Sequence, residues 1–164
     1  MEEYEYSFNV DNIQPYIDYC ENNGYTQTSV SEQNRVVYEN KNDRNKIARI
    51  TTTQNGENTE TLFDYKTITA SQDALKISKE TKPIIVTINN QKDILSKLEN
   101  EGYFIVADNT RIRYIYTKDN VTFEIDDYTN PIMKVVAIEG EKSAVDKVYE
   151  EIKGKHPNLS LKNN

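Results

Sequence analysis

Residues 111 to 128 read RIRYIYTKDNVTFEIDDY. Taken as two strands around an Asp119-Asn120 turn, the stretch sorts its side chains by chemistry. Successive side chains on a strand point to opposite faces. Arg111 and Arg113 therefore share a face on the first strand, and Glu124 and Asp126 share one on the second. Ile112, Tyr114, Tyr116, Val121, Phe123 and Ile125 fall on the other side. Guanidinium groups grip phosphate oxygens, and carboxylates hold hard divalent cations such as Mg²⁺ or Mn²⁺. The same pattern also describes a solvated hairpin face, with Arg113 opposite Asp126 and Glu124 on the diagonal, forming cross-strand ion pairs.

The pattern recurs along the chain. Glu3 and Glu5 alternate with Tyr4, Tyr6 and Phe8. Arg49 falls on the polar face of KIARITTT, Asp64 and Lys66 oppose Phe63 and Tyr65, and Glu139 sits in MKVVAIEG. Lys76 and Glu80 are possible members from ALKISKET. In an open sheet these charges face solvent. In a closed barrel they line a lumen, where an unpaired ion costs several kcal/mol. A polyanion carried with a divalent cation matches both signs.

The elements that would position these residues follow from periodicity. Strands are expected over 3–10, around 35–39, and in KIARITTT, TLFDYKTI, ALKISKET, PIIVTI, FIVAD, the hairpin and MKVVAIEG. Ile13, Tyr16, Ile17 and Cys20 have helical spacing, with Asp11 as N-cap and Gly24 as stop. Ile94, Leu95 and Leu98 mark a second helix ending at Gly102. Ala144, Val145, Val148, Tyr149 and Ile152 mark a third, capped by Ser143. YIDYCENNGY and ILSKLENEGY echo one another, which gives the chain two similar halves. The order of elements implies one α+β domain over 1–154, dominated by an antiparallel sheet that can close into a barrel, with a polar tail over 155–164.

The 164 residues suit a single domain. Only 36% are hydrophobic and mean hydropathy is −0.81, so twelve tyrosines and four phenylalanines must supply much of the apolar bulk. A net charge of −7 argues against general adhesion to nucleic acid or anionic membranes, yet allows a local basic cavity. One cysteine, Cys20, excludes an internal disulfide and a cysteine zinc cluster. It is read as a partly buried helix residue, and the single histidine, His156, as part of the tail. No segment reads as a signal peptide or approaches the roughly 18 apolar residues of a membrane span. A soluble cytoplasmic protein, monomer or homodimer, is the expectation.

Several motifs, in order, carry a resemblance. Glu3-Tyr4-Glu5-Tyr6-Ser7 is similar to a Glu-x-Glu-x-Lys strand, with Ser7 at the lysine position. Gln33 to Tyr38 is similar to a Gln…Tyr strand, and Ala48-Arg49-Ile50-Thr51 to Leu-Arg-x-Arg with Thr51 for the second arginine. Tyr65-Lys66, Arg111-Ile112-Arg113 and Glu124-Ile125-Asp126 follow, and Ala137-Ile138-Glu139 resembles a closing Glu-x-Glu strand with Ala137 for its first glutamate. Together these resemble the CYTH superfamily of class IV adenylyl cyclases, thiamine triphosphatases and triphosphate tunnel metalloenzymes. The resemblance implies an antiparallel eight-stranded β-barrel with helices packed outside and a triphosphate in its lumen. Carried over, Glu3, Glu5, Glu124, Asp126 and Glu139 would hold Mg²⁺ or Mn²⁺, with Glu3 and Glu5 catalytic. Arg49, Lys66, Lys76, Arg111 and Arg113 would bind the triphosphate. The substrate would be tripolyphosphate, thiamine triphosphate or a nucleoside triphosphate. Hydrolysis of the terminal phosphate is the preferred reaction, because no base-recognition pocket is legible. Cyclisation of ATP to cyclic AMP, or binding without catalysis, are the alternatives. Ser7, Thr51 and Ala137 favour the last; the retained acidic pairs favour an enzyme.

Overall fold

The computed structural model describes residues 2–155 and, for the backbone, 160–161. His156 and most of the expected tail lie outside the described residues. The elements run β1 (Glu2–Asn9), α1 (Gln14–Asn22), β2 (Thr26–Asn40), β3 (Asp43–Asn55), β4 (Asn58–Gln72), β5 (Leu75–Glu80), β6 (Ile84–Ile85), α2 (Gln91–Asn100), β7 (Tyr103–Lys118), β8 (Val121–Asn130), β9 (Ile132–Gly140), α3 (Lys142–Lys155) and β10 (Ser160–Leu161).

Eight of these strands close on themselves. The antiparallel order β1-β5-β4-β3-β2-β7-β8-β9 returns to β1, where Glu5 pairs with Glu139 and Ser7 with Ala137. The expected eight-stranded barrel with helices outside is therefore present. β6 adds two residues beside β4, and β10 pairs with Phe8 and Asn9. PIIVTI supplies only the short β6, because Pro83 lacks an N–H donor and Ile84–Ile85 pairs only with Leu62 and Phe63, on the stretch of β4 that β5 leaves free. FIVAD and the first arm of the charged hairpin are one sixteen-residue strand, β7. The strand expected around 35–39 is fifteen residues long, because β7 and β3 flank it over most of its length.

Alternation along these strands makes two apolar compartments outside the barrel. Phe8, Tyr116, Phe123, Ile125, Val136 and Ile138 face Tyr16, Tyr19 and Cys20 of α1 and Val145, Tyr149 and Ile152 of α3. Tyr38, Ala48 and Phe63 face Ile94 and Leu98 of α2. Fully burying one such side chain contributes roughly 1.5–3 kcal/mol. Leu95, expected inward with Ile94, is exposed. The narrow α2 stripe is an i, i+4 pair only. Cys20 is fully buried, and burial pushes its thiol up to about 12.

The helix ends differ in detail from the sequence expectation. α1 is entered through Ile13 rather than Asp11, with Asn12 Oδ1 accepting from the Gln14 N–H and Pro in the first turn. α3 begins one residue before Ser143. Its exposed donors, the Ser143 and Ala144 N–H groups, go to the Glu141 carboxylate, which also accepts from the Ser143 hydroxyl. The outer face of β1 is clamped to α3: Tyr4 and Tyr6 both donate to Asp146 Oδ1, at 2.6 and 2.7 Å, and Tyr6 stacks on Tyr149 with ring centroids 3.9 Å apart. These contacts fix the register that turns Glu3, Glu5 and Ser7 inward.

The β9–α3 junction depends on Gly140. Its φ is +142°, and a Cβ there would lie 1.9 Å from the Asn120 carbonyl oxygen. Gly140→Ala is expected to cost about 3 kcal/mol or more, from backbone strain and displacement of the β7–β8 turn. Urea unfolding checks this. Gly56→Ala, at a positive φ with open space around it, should cost clearly less.

Candidate functional site

The inward side chains of the barrel strands enclose a cavity of about 270 Å³. Every residue expected to hold metal or triphosphate lines it: Glu3, Glu5, Arg49, Lys66, Lys76, Arg111, Arg113, Glu124, Asp126 and Glu139. Of the three departures, Ser7 and Ala137 line it too, while Thr51 stands behind it, opposite Arg35 across β2 and β3 and accepting from the Arg35 Nε. One charged lining residue was not expected at all, and another stood only among the possible members of the charged face with no role assigned. Arg35 comes from β2 and Glu80 from the end of β5. The lumen thus holds six basic side chains (Arg35, Arg49, Lys66, Lys76, Arg111, Arg113) and six acidic ones (Glu3, Glu5, Glu80, Glu124, Asp126, Glu139).

Some of these ions neutralise one another. Arg113 is opposite Asp126 in the β7–β8 ladder and binds it in bidentate fashion, Nε to Oδ1 at 2.8 Å and Nη2 to Oδ2 at 2.9 Å. Its Nη1 donates to Glu124 at 2.9 Å. Burial disfavours the charged guanidinium, but Glu124 and Asp126 outweigh it and raise the Arg113 pKa. Burial likewise opposes ionisation of Asp126, yet Arg113 holds its pKa below the usual value. Arg49 repeats the motif across β3 and β4. It grips Asp64 with Nε and Nη2 and reaches Glu80 as well. Lys66 lies 3.8 Å from Glu5.

The remaining charges are unevenly distributed. Glu139 is pushed up to about 9 by burial and by Glu124, Glu5 and Glu3. Glu3 is pushed up to about 8 by burial and by its hydrogen bond with Glu80, whose own pKa falls to about 2. Burial itself would raise Glu80; the Glu3 hydrogen bond and Arg49 overcome it. On the opposite side, Arg35 is lowered by burial and then by Arg111, Arg49 and Arg113. Arg111 is held mainly by neutral oxygens, Gln33 Oε1 at 3.1 and 2.8 Å and Tyr128 OH at 2.9 Å. Lys66, 3.8 Å from Glu5, and Lys76, which pairs with Glu5 across β1 and β5, stand among Glu3, Glu5, Glu80 and Glu139, so carboxylates outnumber cations on that side, while Arg35 and Arg111 sit apart from them.

The acidic wall suits a hard divalent cation in donor type, because each member offers carboxylate oxygens and the crowded carboxyls must otherwise retain protons. Among the described residues, no three carboxylates already converge as a ligand set. Glu3, Glu5 and Glu139 are the members least committed to arginine. Asp126, expected among metal ligands, has both oxygens engaged by Arg113.

Two outcomes follow. Arg113→Met should lower stability by roughly 3–5 kcal/mol by stranding Asp126 and Glu124, and adding Asp126→Leu should restore part of it. Denaturant titrations of the single and double variants read this directly. The second concerns pH. An unfolded chain loses the Glu3 and Glu139 protons near 4.5, whereas the folded chain keeps them to about 8 and about 9. The folded state binds more protons in that window, so its stability must fall as pH rises through it. In EDTA, the melting midpoint should decline from pH 5 to pH 9, and Mn²⁺ should offset the decline. A flat or rising midpoint would contradict the crowding of these carboxyls.

No protein-family model and no curated protein matches the sequence. Solved structures do match in fold. PH1012 from Pyrococcus horikoshii is similar with 20% identity over 92% of this chain and 87% of its own, at TM-score 0.70. HpAC1 from Hippeastrum, an adenylyl cyclase candidate with a dominant triphosphatase activity, is similar with 11% identity over 99% of this chain and 91% of its own, at TM-score 0.69. A chain of the Schizosaccharomyces pombe Mediator head module is similar with 12% identity over 100% of this chain and 99% of its own, at TM-score 0.61. At these identities the likeness is one of fold, and proteins of different roles share it.

Proposed function

On a CYTH-like triphosphate-tunnel fold, we propose that the lumen binds a triphosphate-bearing small molecule together with Mg²⁺ or Mn²⁺ and hydrolyses its terminal phosphate. The observation that supports this is the convergence of unbalanced carboxylates and unbalanced arginines in one cavity within a closed barrel. A lone anion would relieve the arginine wall only, and a lone cation the acidic wall only. A polyphosphate with its metal relieves both.

In this reading Glu3, Glu5 and Glu139 would hold the cation, with Glu124 contributing the oxygen that Arg113 leaves unused. The bound cation supplies neutralisation of phosphate charge and polarisation of the terminal phosphorus. Lys66 and the arginines orient the phosphate chain. A carboxylate of the acidic cluster not engaged by an arginine would accept a proton from water as the water oxygen bonds to the terminal phosphorus. The bridging oxygen then departs with the shortened phosphate chain. Thiamine triphosphate, a nucleoside triphosphate and free tripolyphosphate all present the reacting group. Cyclisation of ATP remains the runner-up chemistry.

A second reading has its own support. Arg49 and Arg113 are already neutralised by carboxylates, and Ser7 and Ala137, paired across β1 and β9, leave one stretch of the lumen without charge. A binder without turnover would tolerate both features. The two readings separate in a phosphate-release assay on tripolyphosphate. Hydrolysis predicts Mn²⁺-dependent release, reduced at least a hundredfold by Glu139→Gln and raised by Ser7→Lys, which restores a cation to the uncharged stretch. Tight binding with no release in any metal would support the binder and exclude the hydrolase.

A further inference from the structure

The four guanidinium groups of the lumen are of two kinds. Arg49 holds Asp64 and Glu80, and Arg113 holds Asp126 and Glu124, so each is balanced by two carboxylates. Arg111 leans on Gln33 and Tyr128, and its nearest carboxylate, Asp126, is 3.7 Å away. Arg35 has less still. Its Nε donates to Thr51 Oγ1 at 2.9 Å, and among the described residues no carboxylate lies within ion-pair distance of it. A guanidinium carries five N–H donors, so most of Arg35's donor capacity is uncommitted.

The sheet register puts the two under-neutralised arginines together. Gln33 pairs with Arg111 across β2 and β7, and Arg35 with Asn109 two residues on. Arg35 and Arg111 are therefore diagonal neighbours on the lumen face, about 7–8 Å apart at Cα and within reach of each other's side chains. On its other side Arg35 stands directly opposite Thr51 of β3. Thr51 and Arg35 thus share one level of the barrel, and the cation at that level is carried by β2.

We propose that Arg35 and Arg111 form the anion clamp of the tunnel, a two-guanidinium cradle for one phosphate group, with Arg35 supplying from β2 the cation that Thr51 does not supply from β3. Arg49 and Arg113 belong to the charge-balanced wall and contribute to structure more than to grip. The clamp rests on the reading of the lumen as a polyphosphate site, and deepens it by naming where the anion is held. Planar guanidinium pairs select tetrahedral oxyanions over halides, and more highly charged ones over less, so pyrophosphate and tripolyphosphate should bind above sulfate and sulfate above chloride.

The test is calorimetric titration of tripolyphosphate, with Mn²⁺, into the full chain and two variants, together with ligand-free melting midpoints. Arg35→Met should weaken binding at least tenfold while leaving the ligand-free midpoint unchanged or higher, since it removes a cation that has no carboxylate within ion-pair distance among the described residues. Arg35→Met/Thr51→Arg should recover most of the lost affinity, because the guanidinium returns to the same level from the opposite strand. A wild-type affinity in Arg35→Met, with the wild type itself binding, would overturn the clamp and leave the polyphosphate reading standing. So would lost binding accompanied by a lowered midpoint, which marks a structural residue, or a double variant no better than the single. A wild type that binds no tripolyphosphate would overturn both.

Discussion

A guanidinium withdrawn from water needs counter-ions drawn in with it, and Arg113 brings two. Its bidentate grip on Asp126 and its contact with Glu124 span neighbouring strands of a closed barrel. Without that balance the lumen could not carry charge, because an isolated ion in an enclosed space is destabilising by several kcal/mol. Arg49, with Asp64 and Glu80, meets the same constraint on the far side. These two nodes let the strands between them present charges that are not balanced.

Strand geometry then couples inside to outside. Tyr4, Tyr6 and Phe8 dock on α3 and its neighbours, and by alternation this turns Glu3, Glu5 and Ser7 into the lumen. The apolar compartments supply stability that the lumen does not. The helices hold the strands from outside, and the strands' other faces bear the charged groups. The surplus of negative charge around Glu139 and of positive charge around Arg35 is maintained within that frame. Such separated surpluses are a binding device when a ligand carries both signs, and a liability otherwise.

Much of this was legible in the sequence because period-2 alternation reports faces whatever the fold. Glu3, Glu5, Arg111, Arg113, Glu124 and Asp126 stand in strands whose opposite faces are plainly apolar. Arg35 escaped because β2 lacks that contrast: Ser, Thr, Gln and Asn occupy much of it, and Val37 on the inner face blurs the outer face marked by Val36 and Tyr38. Its parity with Gln33 was the available signal. Glu80 stood among the possible members of the charged face, but its role depends on a bulge between β4 and β5 that no local pattern announces. Pairings such as Glu3 with Glu80 join strands more than seventy residues apart and become visible only when the barrel closes. The helix ends were misassigned at Asp11 and Ser143 for a local reason, since neighbouring Asn12 and Glu141 offered competing acceptors.

The most direct measurement is a crystal structure of the protein grown with tripolyphosphate and Mn²⁺, with data collected to reveal manganese by anomalous scattering. The account predicts a manganese peak beside Glu3, Glu5 and Glu139 and phosphate density reaching the Arg35–Arg111 side of the same cavity. A lumen holding only water at millimolar concentrations of both would contradict it, and would leave the unbalanced charges without a ligand.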